Sequence, residues 1–77
     1  MTNENQLSAI QKKFGAKIRE ERTKLGISQE ELGFRTGLDR TYISGIERGE
    51  RNPSLKNISK ISKALSIAIK DLFGGIQ

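Results

Sequence analysis

The chain has 77 residues, with no cysteine and no histidine, and 34% of them are apolar. This length fits one small domain, since domains usually contain about 100 to 150 residues, and so short a chain is expected to gain stability by self-association. The absence of cysteine excludes disulfides and thiolate metal sites, and the absence of histidine removes the commonest general base and metal ligand. We therefore expect no catalytic residues, no cofactor and no metal.

Charge points to a polyanionic partner. Fourteen Lys and Arg residues outnumber nine Asp and Glu residues, which gives a net charge of +5 at pH 7 and a pI of about 9.9. The polar N-terminus lacks the apolar segment of a signal peptide, and no apolar run approaches the roughly 18 to 20 residues that cross a bilayer. The sequence predicts a cytoplasmic protein with no membrane contact.

The first predicted helix runs from Leu7 to Leu25, after a flexible N-terminus of residues 1–6. Apolar residues recur at helical spacing and form one stripe, with charged residues of both signs on the other face. The stripe consists of Leu7, Ile10, Phe14 and Ile18. Gly26 follows where a left-handed residue ends a helix.

A short second helix begins at a capping box. The Ser28 hydroxyl can accept from the Glu31 amide while the Glu31 carboxylate reaches back to the Ser28 amide. This helix ends near Thr36, because Gly37 offers the positive φ that a sharp exit requires.

Three further helices complete the chain. Asp39 is expected to cap the third, residues 40–47, which buries Ile43 and Ile46. Ser54 is expected to cap the fourth, whose apolar residues keep helical spacing. They are Leu55, Ile58, Ile61 and Leu65. A fifth helix spans residues 68–73, and residues 74–77 form a C-terminal tail. No segment of any length has the period of a strand, so the expected fold class is all-α, a compact five-helix domain over residues 7–73.

The second predicted helix, the glycine corner at Gly37 and the third predicted helix follow one another in the order of a helix-turn-helix. Two short helices joined by a glycine corner hold the second helix out from the body, where it can enter a DNA groove. These segments resemble the Cro/C1-type phage repressor family, also called the XRE family, over about residues 14 to 73. The matching motifs are Ser28-Gln-Glu-Glu-Leu32, Gly37-Leu38, Thr41-Tyr-Ile-Ser44 and Ile46-Glu-Arg-Gly49.

Within that family, the stretch from Leu38 to Asn52 is most similar to the controller proteins of restriction–modification systems. The resemblance implies a lambda-repressor-like fold. It also implies a transcription regulator that binds double-stranded DNA at a pseudo-palindromic operator as a homodimer, and that blocks or recruits RNA polymerase.

The outer face of the third helix supplies the candidate base-reading residues. They are Arg40, Thr41, Tyr42 and Ser44. Arg40 can form a bidentate pair with guanine, worth about 1 to 3 kcal/mol of discrimination, and Thr41 can bond to a base or contact a thymine methyl. Gly45 is expected to let the helix lie close to DNA. The alternative is that Arg40 and Tyr42 are ordinary solvated surface.

Polar residues around the third helix supply the candidate phosphate contacts. They are Gln29, Arg35, Arg51, Asn52 and Lys56. For Gln29 the resemblance implies a contact to the DNA backbone, and the positive end of the second helix also favours an anion. The alternative is a solvated basic rim. Lys60 and Lys63 continue a basic stripe from Lys56, but such stripes are usually solvated.

Two structural roles complete the predicted site. The resemblance implies a partly buried salt bridge between Arg22 and Glu47, the alternative being two independent surface charges. A two-fold dimer reads half-sites about 34 Å apart, and its interface is expected to be apolar and near the C-terminal end. The candidate interface residues are Leu65, Ile67, Ile69, Phe73 and Ile76. The alternative is that Ile67 and Phe73 complete the monomer core.

Other functions remain as alternatives. A phage-type repressor shares the same motif. An antitoxin-type module, whose main partner is another protein, usually carries an extra segment, for which the ends of this chain are expected to be too short. A hydrolase using Glu30, Glu31 or Glu47 is disfavoured, because capping and ion pairing account for these carboxylates. Phe34 has no assigned role.

Overall fold

The computed structural model describes residues 3–74, and within that range it contains only helices and the turns between them. The helices are α1 (Glu4–Lys24), α2 (Gln29–Thr36), α3 (Arg40–Glu47), α4 (Leu55–Leu65) and α5 (Ile69–Leu72). The predicted all-α, five-helix fold is confirmed. Ile76 and the rest of the tail beyond residue 74 lie outside the described residues.

The start of α1 corrects the predicted boundary after residue 6. The Asn3 side chain accepts from the Gln6 amide at 2.8 Å, and the Gln6 side chain accepts from the Asn3 amide at 3.0 Å. This complete capping box satisfies free amides of the first turn and starts the helix at Glu4 rather than Leu7.

The predicted capping box of α2 is only half formed. Ser28 Oγ accepts from the Glu31 amide at 3.0 Å. The Glu31 carboxylate instead accepts from Arg35 Nε, one turn along the helix, at 2.9 Å. A charged partner at helical spacing competes successfully with the cap backbone for this carboxylate.

One apolar core joins all five helices. Its buried members are Phe14, Ile18, Leu32, Ile43, Ile46, Ile61, Leu65 and Leu72. Leu55 departs from the predicted stripe of α4, since it is 71% exposed. Helical side chains tilt toward the N-terminus of their helix, so the first residue of α4 extends past the packed part of the helix.

Two glycines place α3 against the rest of the domain. A Cβ atom on Gly15 of α1 would overlap the carbonyl of Ile46, near the end of α3. A Cβ atom on Gly33 of α2 would lie 2.7 Å from the carbonyl oxygen of Leu38, in the turn before α3. The neighbouring helices therefore hold α3 by direct backbone contact at both of its ends.

Candidate nucleic-acid interface

The N-terminal turn of α3 is exposed, while its inner face is buried. Ile43 and Ile46 are in the core, and Arg40 and Thr41 face solvent. Asp39 caps the helix, because its carboxylate accepts from the Thr41 amide at 2.7 Å. That hydrogen bond lowers the pKa of Asp39 below its usual value. Arg40 and Thr41 are thus the first two residues of a helix whose N-terminus is fixed by a charged cap.

An ion pair between α1 and α3 holds the opposite, C-terminal end of α3. Arg22 Nε donates to Glu47 Oε2 at 2.7 Å, and Arg22 Nη2 donates to Glu47 Oε1 at 2.9 Å. Only 13% of the Arg22 side chain and 3% of the Glu47 side chain are exposed. The hydrogen bonds to Glu47 raise the pKa of Arg22, whose guanidinium, like that of any arginine, is charged throughout the physiological pH range.

The third branch of the Arg22 guanidinium joins the ion pair to the turn between α1 and α2. Arg22 Nη1 donates to the carbonyl oxygen of Ile27 at 2.9 Å. One side chain therefore connects the end of α1, the entry to α2 and the end of α3. This contact was not predicted, because a carbonyl acceptor carries no signal in the sequence.

Gln29 contacts both the ion pair and a candidate base-reading residue. Its Nε2 donates to Glu47 Oε1 at 3.0 Å, and its Oε1 accepts from Arg40 Nη1 at 3.4 Å. The structure thus brings together Arg22, Glu47, Gln29 and Arg40 in one continuous series of hydrogen bonds. The predicted phosphate contact of Gln29 stays a prediction.

Tyr42 lies on the side of α3 that faces α4. It is half-buried, and its hydroxyl accepts from Asn57 Nδ2 at 3.1 Å. The guanidinium carbon of Arg51 is 5.8 Å from the centre of its ring, within the range of a cation–π contact. Asn57 was missed by the sequence analysis, since an asparagine inside a helix gives no pattern. The base contact of Tyr42 remains untested.

The Arg51 side chain fills the space beside Gly45, which has no side chain of its own. A Cβ atom there would lie 2.7 Å from Arg51 Cγ. Gly45 is buried beneath this side chain, and the expectation that it lets the helix lie close to DNA stays a prediction. Arg51 lies along α3 itself, beside the candidate base-reading turn.

Of the remaining predicted DNA contacts, some side chains already bond to other residues of the protein and some face solvent. Ser44 Oγ accepts a hydrogen bond from Arg48, one turn along α3. Arg35 forms an ion pair with Glu31. Asn52 and Lys56 are exposed to solvent. For these candidates the structure gives positions, and their contacts to DNA stay predictions.

Comparison with known proteins identifies the family. The helix-turn-helix family profile matches residues 18–72. The chain is 60% identical to the control protein C.BamHI of Bacillus amyloliquefaciens over 60 residues, which span 77% of this chain and 74% of that relative. The chain belongs to the Cro/C1-type (XRE) helix-turn-helix family.

Further relatives are similar in sequence and structure along most of the chain. The control protein C.MunI of a Mycoplasma species is 43% identical over 72 residues, covering 92% of this chain and 97% of that protein. The crystal structure of the restriction-modification controller protein C.AhdI from Aeromonas hydrophila has a TM-score of 0.83 and 54% identity, covering 84% of this chain and 98% of that one. The resemblance found in the sequence is confirmed, and the chain is a DNA-binding transcription regulator, not an enzyme.

Across residues 3–74, no helix has both the length and the apolar character needed to cross a bilayer.

The C-terminal end of this XRE-family domain corrects one predicted interface residue. Leu65 is 4% exposed and belongs to the core, so it has no surface to offer a second copy. Phe73 is half-buried, and its ring stacks on Phe14 with a centroid distance of 4.9 Å. Ile67 and Ile69 are also half-buried, and Ile67 packs against the core. Ile67, Ile69 and Phe73 remain candidates, and we call them the α5 apolar surface.

Proposed function

We propose that this protein is the controller of a restriction–modification system. It binds a two-fold operator as a homodimer and acts in the cytoplasm, where it blocks or recruits RNA polymerase according to the position of the operator. The observation that carries this proposal is the exposed N-terminal turn of α3, where Arg40 and Thr41 face outward, on a helix whose other end is held by the Arg22–Glu47 ion pair. The identity to the control proteins C.BamHI and C.MunI supports the choice of system.

Each group of residues has a distinct role in the proposal. Arg40 contacts a guanine in the major groove, and Thr41 contacts a neighbouring base. Exposed basic and polar groups around α3, such as Lys56 and Asn52, contact phosphates and fix the register of the protein on the duplex. The α5 apolar surface joins two copies, so that two α3 helices lie about one turn of DNA apart.

Selection from random duplexes tests this function. The expected result is a two-fold symmetric consensus with half-sites about one helical turn apart. Arg40→Ala is then expected to lose about 1 to 3 kcal/mol of discrimination at one base pair of each half-site.

Lys56→Ala is the matched control for loss of a positive charge. It is expected to weaken binding to all duplexes alike and to reduce the slope of log K against log salt by about one. Weak, salt-sensitive binding with no consensus would contradict the proposal and favour the role in which another protein is the main partner.

A further inference from the structure

The C-terminal half of α2 and the second half of α4 form a groove with a basic rim. The groove is open to solvent and has a volume of about 340 Å³; Arg35 lines it from α2, and Lys60 and Lys63 line it from α4. Arg35 pairs with Glu31, whereas the two lysines form no ion pair with any residue between 3 and 74. The groove therefore carries positive charge that the described part of the domain does not neutralise.

The floor of this groove is apolar or already bonded. Ala64 is half-buried and packs against the core. The Thr36 hydroxyl donates to the carbonyl oxygen of Leu32 at 2.8 Å and accepts from the Leu38 amide at 3.2 Å. A molecule in the groove would thus meet positive charge at the rim and mainly apolar surface beneath it.

An exposed aromatic ring lies next to this groove in the sequence. Phe34 directly precedes Arg35 on α2, and it is 85% exposed. Single exposed apolar residues are common on protein surfaces, but this ring adjoins positive charge that has no partner in the domain. Interfaces between proteins are enriched in aromatic residues and arginine, which often contribute most of the binding energy. The combination favours a protein partner.

Contact with DNA explains this surface less well. Phosphate contacts come from charged and polar groups, and they need neither an aromatic ring nor an apolar floor. At a rise of about 1.5 Å per residue, Lys60 and Lys63 lie about 6 and 10 Å along α4 from Lys56, the candidate phosphate contact near its start. The lining of the groove also includes no residue of α3.

We propose that the groove between α2 and α4 binds an acidic segment of another protein. Carboxylates of that segment pair with Lys60 and Lys63 at the rim, and one of its apolar side chains packs on Phe34 and the floor. Complementary charge speeds the encounter and sets orientation, and the apolar anchor supplies affinity. This role goes beyond operator binding, and it reassigns Arg35 from the predicted phosphate contact to a protein contact.

Amide NMR spectroscopy of the full chain tests this proposal. The probe is a synthetic helical peptide with glutamates on one face and a leucine among them. A reference peptide carries glutamines in place of the glutamates. The acidic peptide is expected to shift the amide signals of residues 34–36 and 60–64, and the reference peptide is expected to bind at least about tenfold more weakly.

Two double variants with the same change of charge sharpen the test. Lys60→Glu combined with Lys63→Glu is expected to weaken binding of the acidic peptide at least about tenfold, because like charges then face each other. Lys13→Glu combined with Arg19→Glu, at exposed sites on α1, is expected to weaken it less than about threefold. Phe34→Ala keeps every charge and is expected to weaken binding about 3- to 10-fold, because it removes the aromatic anchor. Thermal melting checks that each variant is folded.

Equal weakening by the two double variants would reduce the interaction to attraction by net charge and overturn the proposal. A lack of amide shifts with the acidic peptide would overturn it as well. If Lys60→Glu combined with Lys63→Glu instead weakens binding to operator and non-operator duplexes alike and lowers the salt slope, the groove follows the DNA backbone. The selection from random duplexes tests operator binding separately, because neither lysine has a role in the proposed function.

Discussion

Different kinds of contact hold the two functional regions of this domain, the surroundings of α3 and the α5 apolar surface. Around the candidate base-reading helix α3, the contacts are directional: the Arg22–Glu47 ion pair and the hydrogen bonds of Gln29. At the α5 apolar surface, the half-buried side chains of Ile67 and Phe73 pack against the core through apolar contact, which depends on buried area rather than direction. Directional bonds fix side-chain orientation before a partner arrives, whereas apolar contact tolerates small shifts. Binding to DNA needs fixed orientation, whereas the association proposed for the α5 apolar surface needs only apolar area.

The largest effect expected from this difference is that of Glu47→Ala. The change leaves the Arg22 guanidinium unpaired in a largely buried position, and removing one partner of a buried ion pair typically costs about 3 to 5 kcal/mol. Urea denaturation measures the loss of unfolding free energy. Glu20→Ala is the control, since it breaks an exposed pair with Lys24 and is expected to leave stability unchanged. Similar losses in both variants would mean that the directional contacts do not stabilise this end.

Ile69→Lys tests the other end. An ammonium group in an apolar contact must be desolvated, so the dissociation constant of the dimer is expected to rise at least about tenfold, while the monomer stays folded. Sedimentation equilibrium measures the constant, and thermal melting checks the fold. Leu55→Lys places the same charge on an exposed leucine at the start of α4 and is expected to leave association unchanged. A dimer unaffected by Ile69→Lys would remove the α5 apolar surface from the interface.

The smallest effect concerns the cap of α3. The hydrogen bond from the Thr41 amide lowers the pKa of Asp39, so the charged cap stabilises the fold above the ordinary aspartate pKa of about 3.9. This contribution is lost as the pH falls through the lowered pKa. Asp39→Asn keeps an equally good cap that does not titrate. Melting curves are expected to agree near pH 7 and to differ below pH 4, where protonation of Asp39 makes the wild type the less stable of the two proteins. Parallel pH profiles would contradict this.

Local patterns predicted most of the fold. Apolar spacing, caps and glycines act within a few residues, and α2 and α3 begin where Ser28 and Asp39 cap them. The start of α1 was predicted wrongly because the apolar stripe begins only at Leu7, although Asn3 and Gln6 carry the signal of a capping box. α4 ends at Leu65 because the next residue, Ser66, takes the left-handed conformation with φ of 55°, and its residue type does not mark that position.

The candidate site was less predictable from the sequence. Its residue types were evident, but the contact between Gln29 and Glu47 joins residues 18 positions apart and depends on how three helices meet. Leu65 shows the same limit for burial, since its spacing suits both the core and an interface, and only packing decides between them. Phe34 is 85% exposed on α2, and nothing in the described structure explains its position.

The side-chain caps of the first four helices have a consequence for folding kinetics. Each cap joins residues only two or three positions apart, at Asn3, Ser28, Asp39 and Ser54. Helix starts of this kind form without closing a long loop, so little chain entropy is lost before stabilising contacts appear. Helical domains dominated by local contacts fold in about microseconds to milliseconds. The monomer is thus expected to be native almost as soon as its synthesis ends, and for the proposed homodimer the delay before regulation begins is then the time that two copies need to meet.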